Sequence, residues 1–235
     1  MITVEARPES VAIDPQRAAV LVIDMQNDFG APGGMFERAG IDINGIAAAA
    51  VATQPVLRAA REAGIPVVYL KMEHAPDLSD VGPADGPHWI KHLPLGVGDH
   101  VVAPDGSASR ILVRDTWNTE ILDELAPERG DRIVSKHRYN GFFETELDDV
   151  LRGLGANHLL VTGCTTSVCV ESTVRDAMFR DYSCIVLEDC TAEPIGAGLP
   201  RTNHDASLLV IETLFGWVSN ARAVLDAFAR QAQLV

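Results

Sequence analysis

A chain of 235 residues with 33 acidic and 19 basic side chains carries a formal charge of −14. That balance argues against nucleic-acid binding, which needs a basic patch, and implies solubility. No apolar run approaches the ~20 residues that span a bilayer, and the opening stretch MITVEARPESVAIDPQ is too polar for a secretory signal, so the expectation is a cytoplasmic protein. In that setting Cys164, Cys169, Cys184 and Cys190 are not expected to form a disulfide framework. Cys184 and Cys190 flank an apolar run and read as core packing.

In chain order, Ala18–Asp24 (AAVLVID) is the first predicted strand. A helix over Ile46–Ala63 follows, with Pro55 expected to kink it or mark its true start and Gly64 to stop it. Ile65–Lys71 (IPVVYLK) is the second strand. Asp77 to Ser109 is rich in Pro, Gly, His and Asp with little periodicity. Such a segment inside a compact domain is often functional, and it is expected to cover a site or build a subunit contact. Asn118–Leu125 reads as a helix capped by Asn118. Arg132–Lys136 (RIVSK) is the third strand, and Thr145–Leu154 is a helix opening on a weak acidic capping box. His158–Gly163 (HLLVTG) is the fourth strand, followed by a helix-like stretch over Val170–Tyr182. Cys184–Asp189 (CIVLED) is the fifth. Ser207–Glu212 (SLLVIE) is a sixth candidate that equally suits a helix start, and Ser219–Gln231 is a helix capped by Ser219 with Val224, Leu225 and Phe228 on one face. The strand runs are Val/Ile/Leu-rich without alternation, as in parallel sheets buried on both faces. Their alternation with helices predicts one α/β domain over residues 1–235, a doubly wound, mostly parallel six-stranded sheet with helices on both faces. Periodicity does not give the strand order.

In open α/β sheets, ligands bind outside the carboxyl ends of the strands. The first strand ends in Asp24, the third in Lys136, and the fourth in Gly163 followed by Cys164-Thr165-Thr166-Ser167-Val168-Cys169. An acid, a cation and a thiol therefore fall on one edge. Cys169 is expected in the first turn of a helix, where the dipole and a neighbouring Lys136 lower a thiol pKa toward thiolate. Asp24 is placed to take the thiol proton and pass it to a leaving amine. The N–H groups of Thr165 and Cys169 are the candidate oxyanion hole.

Three segments, VIDMQNDF (Val22–Phe29), SKHRYNGFF (Ser135–Phe143) and TGCTTSVCVESTVRDA (Thr162–Ala177), resemble the isochorismatase-like cysteine hydrolases. That group includes nicotinamidases, N-carbamoylsarcosine amidohydrolases, biuret hydrolases and ureidoacrylate amidohydrolases. The resemblance runs from about Arg17 to Asn220. It implies an Asp24, Lys136 and Cys169 triad, a cis peptide at Cys164–Thr165, and a homodimer or homotetramer, for which Phe215 and Trp217 beside a turn hint at a contact surface. Isochorismatases proper lack the cysteine, so its presence implies amide cleavage. Ile211–Asn220 (IETLFGWVSN) resembles ureidoacrylate amidohydrolases, and Glu73–Asp80 (EHAPDLSD) resembles biuret hydrolases. The shared implication is cleavage of a C–N bond in a small ureido or carbamoyl compound with release of ammonia. A simple carboxamide such as nicotinamide, or an N-carbamoyl amino acid, is the alternative substrate, and a non-catalytic small-molecule binder is the alternative of another class. His137 departs from the proline that the pattern has after the lysine.

Phe29, His74 and Tyr139 follow three of the strand-end motifs and are the expected substrate contacts, with Arg138 and Asn140 as candidates for a substrate carboxylate. No cofactor and no metal are expected. His88 and His92 have the i, i+4 spacing of zinc ligands, with His74, Asp77 and Asp80 nearby, but Pro87 and Pro94 shorten any helix there. The K-M-E-H after the second strand also does not match the metal-binding cluster of nicotinamidases. Cys164 and Cys169 lack the C-x-x-C spacing of a redox pair.

Overall fold

The computed structural model describes residues 1–232. A short antiparallel pair, β1 (Ile2–Val4) and β2 (Val11–Ile13), precedes the central strand β3 (Ala18–Ile23). Helix α1 (Asn44–Glu62) leads to β4 (Val67–Met72). Helix α2 (Pro87–His92) and the hairpin of β5 (His100–Val102) and β6 (Ala108–Arg110) come next. Then follow β7 (Arg132–Lys136), α3 (Leu147–Gly153), β8 (His158–Cys164), α4 (Glu171–Phe179) and β9 (Ser183–Ala192). Helix α5 (Asn203–Val210), β10 (Gly216–Ser219) and α6 (Ala221–Ala232) complete the described chain.

The main sheet has the order β10-β9-β8-β3-β4-β7, and every neighbouring pair is parallel. All six residues of β3 are buried, as expected of a strand covered on both faces. Its side chains alternate between two cores. Ala18, Val20 and Val22 join α1 and α6 through Ile46, Val56, Leu57, Val224 and Phe228. Ala19, Leu21 and Ile23 join α3 and α4 through Leu147, Leu151, Val174 and Ala177. Among the described residues no helix is long and apolar enough to cross a membrane.

Several elements differ from the sequence expectation. Helix α1 runs through Pro55 without a break, because Ile46, Ala49, Ala50, Thr53, Val56, Leu57 and Ala60 make one buried stripe on both sides of it. Gly64 does stop it: at φ 72° its N–H donates to Arg61 O while that of Ile65 donates to Ala60 O, a Schellman ending. Asn118–Leu125 is not a helix. It is two single turns around Ile121, which bridges to Gln26, and Asn118 is buried as a side-chain partner of Asp28 and Ser109 instead of a cap. Ser207–Glu212 is helical, in α5 and the wide turn after it, and Thr202 caps that helix. The sixth strand is instead Gly216–Ser219. A Cβ on Gly216 would lie 2.3 Å from Cys184 O, so only glycine lets the chain enter the sheet there. Asn220, not Ser219, caps α6, while Ser219 bonds Glu5 O.

Candidate active site

Because the sheet is parallel, the carboxyl ends of β3, β4, β7 and β8 share one edge. Asp24 follows β3 directly in a left-handed conformation (φ 53°), its N–H donating to Leu70 O on β4. Lys136 ends β7, opposite Met72 on β4, so one strand separates it from β3. Its side chain crosses that gap past Met72 Sδ (3.7 Å), donates to Arg138 O (3.1 Å) and places Nζ 2.7 Å from Asp24 Oδ2. Both side chains are essentially inaccessible to solvent.

Cys169 lies against this pair, its sulfur within interacting reach of both partners. It sits in a wide helical turn, Thr166–Val170, that runs directly into α4, the first-turn position expected for it. The Cys164–Thr165 peptide before the turn is cis. Thr165 O accepts from Val168 and Val170 N–H, and the amides proposed for the oxyanion, Thr165 and Cys169, belong to this same loop. Cys164 is a buried neighbour whose thiol donates to Asp24 O at 3.1 Å. Two side chains from outside pin the loop: Glu193 accepts from Ser167 N–H (2.9 Å) and from its hydroxyl, and His204 Nδ1 meets Thr166 Oγ1 at 2.9 Å. Neither had any sequence signal, since both lie beyond the motifs.

Burial is the largest influence on each reacting group. It raises the Asp24 carboxyl, with Lys136 opposing. It pulls the Lys136 ammonium down, but the Asp24 and Cys169 charges outweigh it and the pKa rises. It pushes the Cys169 thiol up, with Lys136 opposing and Asp24 adding. Desolvation thus works against the expected thiolate and raises the proton affinity of both the thiol and the buried Asp24 carboxyl. That arrangement suits proton transfer to Asp24 as the sulfur attacks.

The rest of the first motif holds the edge in place. Gln26 donates to Met72 O and Thr119 O and accepts from Met72 N–H. Asn27 donates to Trp117 O. Asp28 accepts from Met35 N–H, Leu112 N–H and Asn118 Nδ2; burial raises its carboxyl to about 6.

The expected substrate contacts fall in different places. Phe29 packs edge-to-face on Phe36 (5.1 Å between centroids), in the same core cluster as Met72 and Cys164 beside the Asp24–Lys136 pair. Asn140 spends its amide on Asp176 and on Phe142 N–H. Arg138 donates through Nη1 to Asp80 O and His137 O. Tyr139 is exposed at 36%, its phenol raised by partial burial and then by Cys169. It meets His88 and His92 of α2 at ring-centroid distances of 5.4 and 5.7 Å, and His74 lies 5.8 and 6.2 Å from the same two rings. The irregular segment thus folds a short helix toward the site. Among the described residues no group of three or more His, Cys, Asp or Glu side chains is arranged to hold a metal ion.

The isochorismatase domain matches residues 18–223. A cysteine hydrolase from Pseudomonas syringae pv. phaseolicola 1448A is 32% identical over 93% of this chain and 95% of its own, with a TM-score of 0.75. An isochorismatase family protein from Desulfovibrio vulgaris subsp. vulgaris str. Hildenborough is 26% identical over 91% and 99%, with a TM-score of 0.71. N-carbamoylsarcosine amidase from Thermoplasma acidophilum is 26% identical over 87% and 96%, with a TM-score of 0.64. With the domain matched over most of its length and an all-parallel sheet that brings Asp24, Lys136 and Cys169 together, the chain belongs to the isochorismatase family and is a hydrolase.

Proposed function

We propose that this chain is a cysteine amidohydrolase that cleaves a C–N bond of a small ureido or carbamoyl compound. The observation that carries the reading is the solvent-excluded Asp24–Lys136 pair at 2.7 Å with Cys169 against it. The similarity to a cysteine hydrolase and to an N-carbamoylsarcosine amidase supports it. Cys169 Sγ attacks the carbonyl carbon of R–NH–CO–NH2 and its proton passes to Asp24. The Thr165 and Cys169 amides hold the oxyanion, and Asp24 protonates the departing nitrogen, leaving ammonia and a Cys169–S–CO–NHR acyl-enzyme. Water, deprotonated by Asp24, then attacks that carbonyl. It restores the thiol and releases R–NH–COOH, which loses carbon dioxide to give the amine. Lys136 keeps Asp24 in place and balances its charge.

Ammonia release from ureidoacrylate, biuret, N-carbamoyl amino acids and nicotinamide tests the reading. Turnover is expected for ureido compounds and is abolished in Cys169→Ala and Cys169→Ser, which retain the wild-type circular dichroism spectrum. Near-normal turnover in Cys169→Ala rejects the covalent route, and a preference for nicotinamide rejects the ureido assignment alone. The proposal includes a homodimer or homotetramer in a cytoplasmic setting. Phe179 and Leu214 are exposed beside Phe215 and Met178, an apolar surface of the kind that marks contacts. A monomeric mass at micromolar concentration rejects the oligomer.

A further inference from the structure

His74, His88 and His92 converge from two parts of the chain next to Tyr139, and their hydrogen bonds fix what two of the rings present. His74 Nδ1 lies 3.1 Å from Asp80 Oδ1, and Asp80 Oδ2 already accepts from Ala75 N–H. A carboxylate only accepts, so Nδ1 carries the proton and His74 Nε2 is a bare lone pair. His92 Nδ1 lies 2.7 Å from His88 O. A carbonyl also only accepts, so His92 Nε2 is a lone pair as well. His74 is fully buried and its Nε2 has no partner, and His88 Nε2 is likewise buried and unpartnered. Unpaired buried polar atoms of this kind are costly and point to a ligand.

The rings are also uncharged. Burial, as the largest cause, holds His74 at about 4 and His88 at about 3, with the Arg138 guanidinium contributing to both, and burial lowers His92 too. The bare Nε2 atoms of neutral His74 and His92 attract N–H donors and repel the lone pairs of a carboxylate. The Arg138 guanidinium is drawn aside, with Nη1 on Asp80 O and His137 O and Nη2 close to Gly82. The cluster adjoins the reacting groups through Tyr139, which packs on His88 and His92 and follows Arg138, whose carbonyl accepts from Lys136 Nζ.

We infer that His74, His88 and His92 form an acceptor subsite, beside Tyr139, for the uncharged, N–H-bearing far end of the substrate. The inference rests on the amidohydrolase reading and narrows it: the far end is an amide or ureido NH2 rather than a carboxylate. His88 and His92 are then specificity-determining residues.

The test compares biuret with N-carbamoylglycine, which share a ureido group but end in NH2 and carboxylate. Wild type is expected to favour biuret in kcat/KM. His88→Leu and His92→Leu are each expected to lower the biuret to N-carbamoylglycine ratio about tenfold, chiefly through KM for biuret, as for one or two lost neutral hydrogen bonds. A wild-type preference for N-carbamoylglycine, or an unchanged ratio in both variants, overturns the inference while leaving the hydrolase reading intact. A second measurement does not depend on turnover. Long-range 15N–1H spectra at neutral pH are expected to show His74 and His92 uncharged with the proton on Nδ1, and biuret added to Cys169→Ser to shift the Nε2 resonances. Imidazolium rings, or shifts produced by zinc and not by biuret, overturn the subsite. If no ureido compound is turned over, the ureido reading fails and these spectra still decide the subsite.

Discussion

An ammonium and a carboxylate that leave water together are stable only as a pair. Lys136 and Asp24 are such a pair, and removing one partner of a buried ion pair typically costs about 3–5 kcal/mol. Lys136→Met is therefore expected to lose roughly that much stability in urea unfolding, because the Asp24 carboxylate is left buried without its counter-ion. The double variant Asp24→Asn/Lys136→Met removes both charges and sets an uncharged thioether against Met72 Sδ, which the lysine now passes. It is expected to recover most of the loss while remaining inactive. If the double variant is no more stable than Lys136→Met, the pair is not the unit that holds these groups. The reacting residues were legible because an acid, a cation and a thiol in specific motifs leave few alternatives. The upward push on the thiol was not legible, since desolvation depends on everything packed around Cys169.

At the level of elements, the cysteine loop depends on how closely β8 approaches β3. Gly163 has φ 128°, and a Cβ on it would lie 2.1 Å from Ile23 O. The β8–β9 register shifts between Val161 and Gly163, and the next residue bonds Asp24 O. Gly163→Ala is expected to force β3 and β8 apart, lowering stability by at least about 2 kcal/mol and reducing kcat. A variant with wild-type melting temperature and turnover would show that the close approach is dispensable. Strands with continuous apolar runs were readable wherever they lie inside the sheet. The edge strand Gly216–Ser219 was not, because its short Gly-Trp-Val-Ser run has no pattern distinguishing it from a turn. Asn118 looked like a cap for a similar reason: its partners Asp28 and Ser109 are distant or irregular in sequence.

Across the whole molecule, burial of titratable groups links stability to pH. His74 has its pKa depressed from 6.5 to about 4. Below pH 6.5 the unfolded chain takes up a proton that the folded one refuses until about pH 4, so stability is lost as pH falls through that window. The loss amounts to about 3 kcal/mol for this one ring. Asp28, raised to about 6, acts in the opposite sense between about pH 4 and 6, so the informative quantity is a difference. Wild type should lose about 3 kcal/mol relative to His74→Asn between about pH 6.5 and 4, measured by urea unfolding at each pH. Parallel curves for the two proteins would show that His74 titrates normally in the fold.

The sequence by itself determined the layer architecture, the chemical identity of Asp24, Lys136 and Cys169, and the edge on which they lie, because apolar period and strand-end residues are local properties. Only the tertiary structure decided the strand order that puts β4 between Asp24 and Lys136. It alone brought His74 to His88 and His92. Those outcomes are set by packing between segments far apart in the chain, where the free energy of burial selects among arrangements that are locally equivalent.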